Sequence, residues 1–182
     1  MIHNPKVGVY LSSKDGLPEA YVAAAREVGT LIGSTGRTLV YGGSRCGLME
    51  VLAQSVKKSG GSVYGMVPEI IARRGLVSDA IDRVFPCADL TDRKAAMERE
   101  SDVLVALPGG IGTLDETFSV LANATIGIRR KPVVFYNAGG CWDKLLSALS
   151  ALFAEGLVSG RPGDIYRVAD NVEQLRGILD EE

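Results

Sequence analysis

Short apolar runs ending in glycine or a hydroxyl residue alternate along this chain with longer stretches whose apolar residues recur at helical spacing. The clearest pair is DVLVALPGG (102–110) followed by GTLDETFSVLANATIG (112–127). The first is a continuous apolar run, the pattern of a strand buried on both faces of a parallel sheet. The second repeats apolar residues every three or four positions, as an amphipathic helix does. KVGVYLSS (6–13) precedes LPEAYVAAAREVGTLIG (17–33), with Pro18 suited to the helix start and Gly33 to its end. TLVYGG (38–43) precedes GLMEVLAQSVKKSG (47–60). SVYGMVP (62–68) reads as a strand stopped by Pro68, EIIARRG as a short helix, and DRVFPCA (82–88) as a weaker strand interrupted by Pro86. LTDRKAAMERES (90–101) reads as a helix with Thr91 as N-cap. KPVVFYN (131–137), CWDKLLSALSALFAEG (141–156), IYRVAD and NVEQLRGILDEE complete the series. Such alternation implies parallel strands joined by right-handed helical crossovers. The expected fold is α/β, Rossmann-like and doubly wound: a mainly parallel sheet with helices on both faces. The length, 182 residues, suits one domain spanning 1–182.

Composition removes several function classes. Hydrophobic residues make up 46% and charged residues 23%, the balance of a globular protein with a sizeable core. The formal net charge of −2 argues against a dedicated nucleic-acid partner. Cys46, Cys87 and Cys141 are too widely spaced for a C-x-x-C pair and odd in number, so they read as inert thiols in a reducing compartment. The start MIHNPKVGVY lacks the features of a signal peptide, and no apolar run is long enough to span a bilayer. A cytoplasmic protein with no membrane partner is expected. The single histidine, His3, lies beside the amino terminus, which leaves Ser-His-Asp and Cys-His mechanisms without a suitable residue and excludes multi-histidine zinc sites. Any chemistry falls to carboxylates, arginine, lysine, hydroxyls and backbone dipoles.

Three strand ends carry small or hydroxyl residues: LSSKDG (11–16), which includes Ser13, YGGSRCGLME (41–50) and LPGGIGTLDE (107–116). In the last two, glycine leads straight into a helix, whose first turn offers free N–H groups and the positive end of its dipole to an anion. Glycine lets a phosphate approach the backbone, and Ser44 and Thr113 add hydroxyl donors. Neither loop is a Walker A sequence, and neither matches G-x-G-x-x-G, so NAD is not supported. Two alternatives stay open. Glycine at a strand-to-helix turn also serves packing. Thr113 and Glu116 also fit the S/T-x-x-E/Q capping box, a helix start worth about 1 kcal/mol, with Asp115 as a solvated dipole partner. On the 91–101 helix, Arg93 and Met97 share a face, and Lys94 sits about 100° round from Arg93. Arg93 suits a phosphate or a carboxylate through its planar fork. A surface pair with Asp89 or Glu100 is its alternative.

PGGIGTLDE (108–116) fits the P-G-G-x-G-T-x-x-E motif of the Lonely-guy family, the cytokinin riboside 5′-monophosphate phosphoribohydrolases, long labelled lysine decarboxylases. The resemblance covers nearly the whole chain. YGGSRCGLM resembles the family's glycine loop with Ser44 at its third glycine. MVPEII, TDRKAAM and IGIRRKPVVFYN resemble three further family segments. The chain departs from the family pattern at Leu90–Asp92, where Met-His-Glu is usual, at YLSS, where Cys-Gly-Ser-Ser is usual, and at ANAT, where Trp-x-Gln is usual. The resemblance implies hydrolysis of the N-glycosidic bond of a nucleoside 5′-monophosphate, AMP or an N6-modified AMP, to free base and ribose 5-phosphate. It implies Glu116 and Arg93 as catalytic residues. Gly109, Gly110, Gly112 and Thr113 would hold the phosphate, and Gly43, Ser44, Met97, Lys94 and Ser13 would line the rest of the nucleotide site. It also implies a homodimer or larger homo-oligomer and no metal or organic cofactor. A rival reading is a carrier that binds a nucleotide or a molybdopterin-type phosphate ligand without turnover. Lysine decarboxylation would call for a Schiff-base lysine and a PLP site, and the sequence shows no such context.

Overall fold

The computed structural model describes residues 5–127 and 131–182. His3 and residues 128–130 of the IGIRRKPVVFYN segment lie outside the described residues. The strands are β1 (Lys6–Tyr10), β2 (Thr38–Tyr41), β3 (Ser62–Pro68), β4 (Arg83–Cys87), β5 (Val103–Ala106), β6 (Val133–Tyr136) and β7 (Arg167–Ala169). The helices are α1 (Glu19–Ser34), α2 (Gly47–Lys58), α3 (Glu69–Arg73), α4 (Leu90–Glu100), α5 (Ile111–Thr125), α6 (Asp143–Ala154), α7 (Pro162–Ile165) and α8 (Val172–Asp180). The strands form one sheet in the order β4-β3-β2-β1-β5-β6-β7, and every neighbouring pair is parallel. This is the doubly wound α/β fold expected from the alternation of elements. Among the described residues no helix is long and apolar enough to cross a membrane.

Side chains alternate between the faces of the sheet, so each central strand feeds two cores. Val7 and Val9 of β1, with Val103 and Val105 of β5, pack under α1, α2 and α8, against residues such as Val28, Leu52 and Leu175. Tyr10, Leu104 and Ala106 face the other way, into a core with Met97 of α4, Val120 of α5 and Leu149 of α6. Continuous apolar strands follow from this: both faces are covered, so neither can be polar.

Two helix ends differ from expectation for a packing or capping reason, and one short helix is additional. Gly33 does not end α1. A Cβ there would stand 2.5 Å from the Val56 carbonyl oxygen, so the glycine lets α1 press against α2. The helix runs to Ser34, and Gly36, at φ 70°, turns the chain. Asp89, not Thr91, caps α4, its carboxylate accepting from the Asp92 amide at 2.8 Å. α7 was not expected. It starts at Pro162, the residue type suited to a first helical position.

Candidate active site

β1 and β5 are neighbours, with Tyr10 level with Ala106, yet the chain leaves them toward opposite faces. A crevice must open where the two loops part, beyond the carboxyl ends of the strands. The loops are tied across its floor by the Ser12 amide, which donates to the Pro108 carbonyl at 3.1 Å. The crevice is a cavity of about 330 Å³, walled by Ser12–Lys14, by Gly42, Ser44, Cys46 and Met49, by Ile71 of α3, by Arg93 and Met97 of α4, and by Gly110–Thr113 and Glu116 of α5.

Its glycines divide into two kinds. A Cβ on Gly109 would stand 2.0 Å from the Thr113 hydroxyl oxygen, so this glycine makes room for a buried threonine. A Cβ on Gly110 or Gly112 would meet no protein atom within 4 Å. Neither has the positive φ that requires glycine. Their bare backbone therefore serves the cavity rather than the packing. Gly110 is the N-cap of α5 and no side chain caps that helix, so its first-turn N–H groups face the open space. The first turn of α2 is different. The Gly47 amide donates to Asp15 Oδ1 at 3.0 Å and the Leu48 amide to the Ser12 carbonyl at 3.2 Å, so these donors are spent within the protein. Of the two glycine-led helix starts read as anion cradles, α5 keeps its donors toward the cavity.

Thr113 and Glu116 form no capping box. α5 starts at Ile111, which places Thr113 at its third residue and Glu116 at its sixth, a turn deeper than a capping glutamate. Glu116 is 7% exposed, and its Oε1 accepts from Arg93 Nη2. Burial raises the Glu116 pKa above the usual carboxylate range, with the Arg93 guanidinium opposing the rise. Arg93 has no surface pair with Asp89 or Glu100 in this arrangement. Gly42 makes its seat, since a Cβ there would stand 2.8 Å from Arg93 Nη1.

Eight of the residues singled out in the sequence meet in this cavity: Ser13, Ser44, Arg93, Met97, Gly110, Gly112, Thr113 and Glu116. Arg93 and Met97 project into it together, as their four-residue spacing requires. Three are placed elsewhere. Gly109 packs on Thr113. Gly43, at φ 76°, turns the loop where a Cβ would stand 2.5 Å from Val67 Cγ2. Lys94 lies outside the cavity and donates to both Asp115 oxygens, at 2.9 and 2.8 Å, linking α4 to α5. The sequence reading missed Tyr10, Gly42, Met49 and Ile71. Gly42 and Met49 sit inside the YGGSRCGLM segment and were within reach. Ile71 ends the MVPEII segment, but only the fold brings α3 over the cavity.

Comparison with known proteins gives the family. The family model described as possible lysine decarboxylase matches residues 49–178. An Arabidopsis thaliana protein named cytokinin riboside 5′-monophosphate phosphoribohydrolase is 35% identical over 176 residues, covering 97% of this chain and 82% of its own. A second from that plant, of the same name, is 36% identical over 170 residues, covering 93% and 80%. Among solved structures, the molybdenum cofactor binding protein of the phototrophic bacterium Rippkaea orientalis superposes with a TM-score of 0.76 at 26% identity, over 100% of this chain and 98% of that one. Motif, fold and extended sequence identity agree: the chain belongs to the Lonely-guy family, whose family model carries the description possible lysine decarboxylase.

Proposed function

We propose that this protein hydrolyses the N-glycosidic bond of nucleoside 5′-monophosphates, AMP or N6-modified AMP of the cytokinin class, to free base and ribose 5-phosphate. One observation carries the reading. A buried, arginine-paired carboxylate and an uncapped, glycine-opened helix start face the same cavity. Its volume of about 330 Å³ lies in the range of small-ligand sites. The names of the relatives support the substrate class.

The 5′-phosphate sits on the first-turn amides of α5 at Gly110–Thr113, with Ser13 and Ser44 across from it. Glu116, one helical turn further on, then meets the ribose. As the C1′–N9 bond lengthens, its electron pair leaves with the base and C1′ becomes oxocarbenium-like. The Glu116 carboxylate stabilises that charge and takes a proton from the water whose oxygen adds to C1′; that proton passes on to the departing base, which returns the carboxylate to its ionised form. Arg93 orients Glu116 and opposes the rise in its pKa that burial brings. Anchoring the phosphate fixes the position of the reacting carbon.

The functional unit is the whole of residues 1–182. It works as a homodimer or larger assembly, a reading supported by Ile111 (82% exposed), Phe118 and Ile126 along α5. A cytoplasmic location is supported by three unpaired cysteines. The solved molybdenum cofactor binding protein favours a second reading, in which the same cavity carries a phosphate-bearing ligand without turnover. One assay separates them. Incubation with AMP, other monophosphates and N6-isopentenyl-AMP releases free base, and Glu116→Gln loses at least about a hundredfold in rate while keeping its circular dichroism. Undiminished release by that variant removes the mechanism; tight binding with no release establishes the carrier.

A further inference from the structure

Behind the Arg93–Glu116 pair lies a second, smaller cleft of about 210 Å³ between α4 and α5, lined by Thr91, Lys94, Glu98, Glu116 and Ser119. Tyr10, at the end of β1, belongs to the walls of both cavities. Its side chain is 2% exposed, and its hydroxyl is closed off from solvent with no hydrogen-bond partner among the described residues. A buried hydroxyl left in this state is costly, and the great majority in folded proteins are paired. Arg93 Nε–H is in the same condition a short way off. Two enclosed donors therefore flank the one carboxylate that lines both cavities.

The surroundings of Tyr10 say what its hydroxyl can do. Burial, and then the charges of Glu116 and Glu98, raise its pKa well above that of free tyrosine. The hydroxyl thus keeps its proton at any working pH and acts as a donor. Arg93 Nη2 occupies Oε1 of Glu116. The carboxylate's other oxygen remains to accept from a neighbour.

We infer that Tyr10 is a positioning residue for Glu116: with nucleotide in the cavity, its hydroxyl donates to the carboxylate oxygen that Arg93 does not hold, fixing the plane of the carboxylate against the ribose. The inference rests on the phosphoribohydrolase reading and adds a residue to it. Arg93 grips one oxygen and Tyr10 the other, so the acid cannot rotate when the sugar arrives. A donor on the second oxygen also favours the ionised form. The other charged groups acting on Glu116 are Arg93 and Lys94 of α4 and Asp115 of α5. Glu98 of α4 acts on Tyr10 and lines the smaller cleft with it, and Lys14 stands at the cavity wall.

The test is Tyr10→Phe, which keeps the ring in its core and removes only the hydroxyl. The expected result is a fall in kcat of about ten- to hundredfold, KM for AMP within about twofold of the parent, and an acid limb of the pH profile moved to higher pH. The shift follows from the sign: losing a donor to the carboxylate raises its pKa. A ring that merely packs would leave the acid limb in place. An unchanged limb and unchanged kcat overturn the inference. The Glu116 carboxyl, followed by carbon NMR of labelled protein saturated with the product ribose 5-phosphate, gives a reading that does not depend on turnover. The variant should titrate at higher pH than the parent, and equal titrations overturn the role of Tyr10. The phosphoribohydrolase reading itself fails separately, when the parent protein releases no base.

Discussion

Alanine at Gly112 should make the protein more stable and less able to bind its substrate. Gly112 is the second residue of α5, its φ is not positive, and a Cβ there meets no protein atom within 4 Å. Glycine in a helix costs up to about 1 kcal/mol relative to alanine, through the entropy of the unfolded chain. The gain predicted for Gly112→Ala is therefore about 0.5–1 kcal/mol, which for a chain of this length raises Tm by about 1–4 °C. The same methyl group enters the cavity over the amides proposed to hold the phosphate. Hydrogen bonds to a charged group are worth about 1.5–3 kcal/mol each. Displacing one such bond raises KM for AMP about ten- to hundredfold. Gly109→Ala is the internal control, because its Cβ would stand 2.0 Å from the hydroxyl oxygen of Thr113, which is 3% exposed. Overpacking of this kind costs about 1–3 kcal/mol, so its Tm falls. Thermal melts of the three proteins, with free base measured chromatographically against AMP concentration, give both quantities. Calorimetric Kd for AMP replaces KM if turnover is absent. A Gly112→Ala variant with parental affinity would show that the opening of α5 is not where the anion sits, and a lower Tm would show that the glycine serves the fold after all.

The remaining predictions concern the charges around the cavity. Because burial raises the Glu116 pKa, the acid limb of kcat should lie above the ordinary glutamate value of 4.5; activity needs the ionised form and is lost as pH falls through the raised value. Arg93→Met removes the cation that opposes the rise, so the limb moves to still higher pH, and the pH–rate profiles of the two proteins decide this. Lys94→Ala should leave KM for AMP within about twofold, since Lys94 pairs with Asp115 outside the cavity, and should lower stability by at most about 1 kcal/mol in a urea melt, as befits a partly exposed pair. A large rise in KM for that variant would instead return Lys94 to the nucleotide site.

Local patterns determined the order of strands and helices in this chain. Strand and helix periodicities differ, and glycine, proline and capping residues mark where one gives way to the other. Motif letters likewise placed Glu116, Arg93 and the α5 glycines among the residues that matter. Letters alone left Glu116 with two roles, cap or acid, because both use the same spacing. The choice turned on where α5 starts: with Gly110 as N-cap, Glu116 falls a turn too deep to reach back, and its side chain meets Arg93. The same holds for glycine, which serves packing at Gly109 and the cavity at Gly112, a difference set by atoms 4 residues away or absent altogether. Tyr10 and Ile71 stand in the YLSS and MVPEII segments, but those letters did not place them at the cavity, since that depends on strand order and on the crossing of α3 and α4 over the sheet. Secondary structure is governed by interactions between near neighbours in the chain and can be read from them. A site assembled from β1, the loop after β2, α2, α3, α4 and α5 depends on distances through space, and only the packed fold sets those.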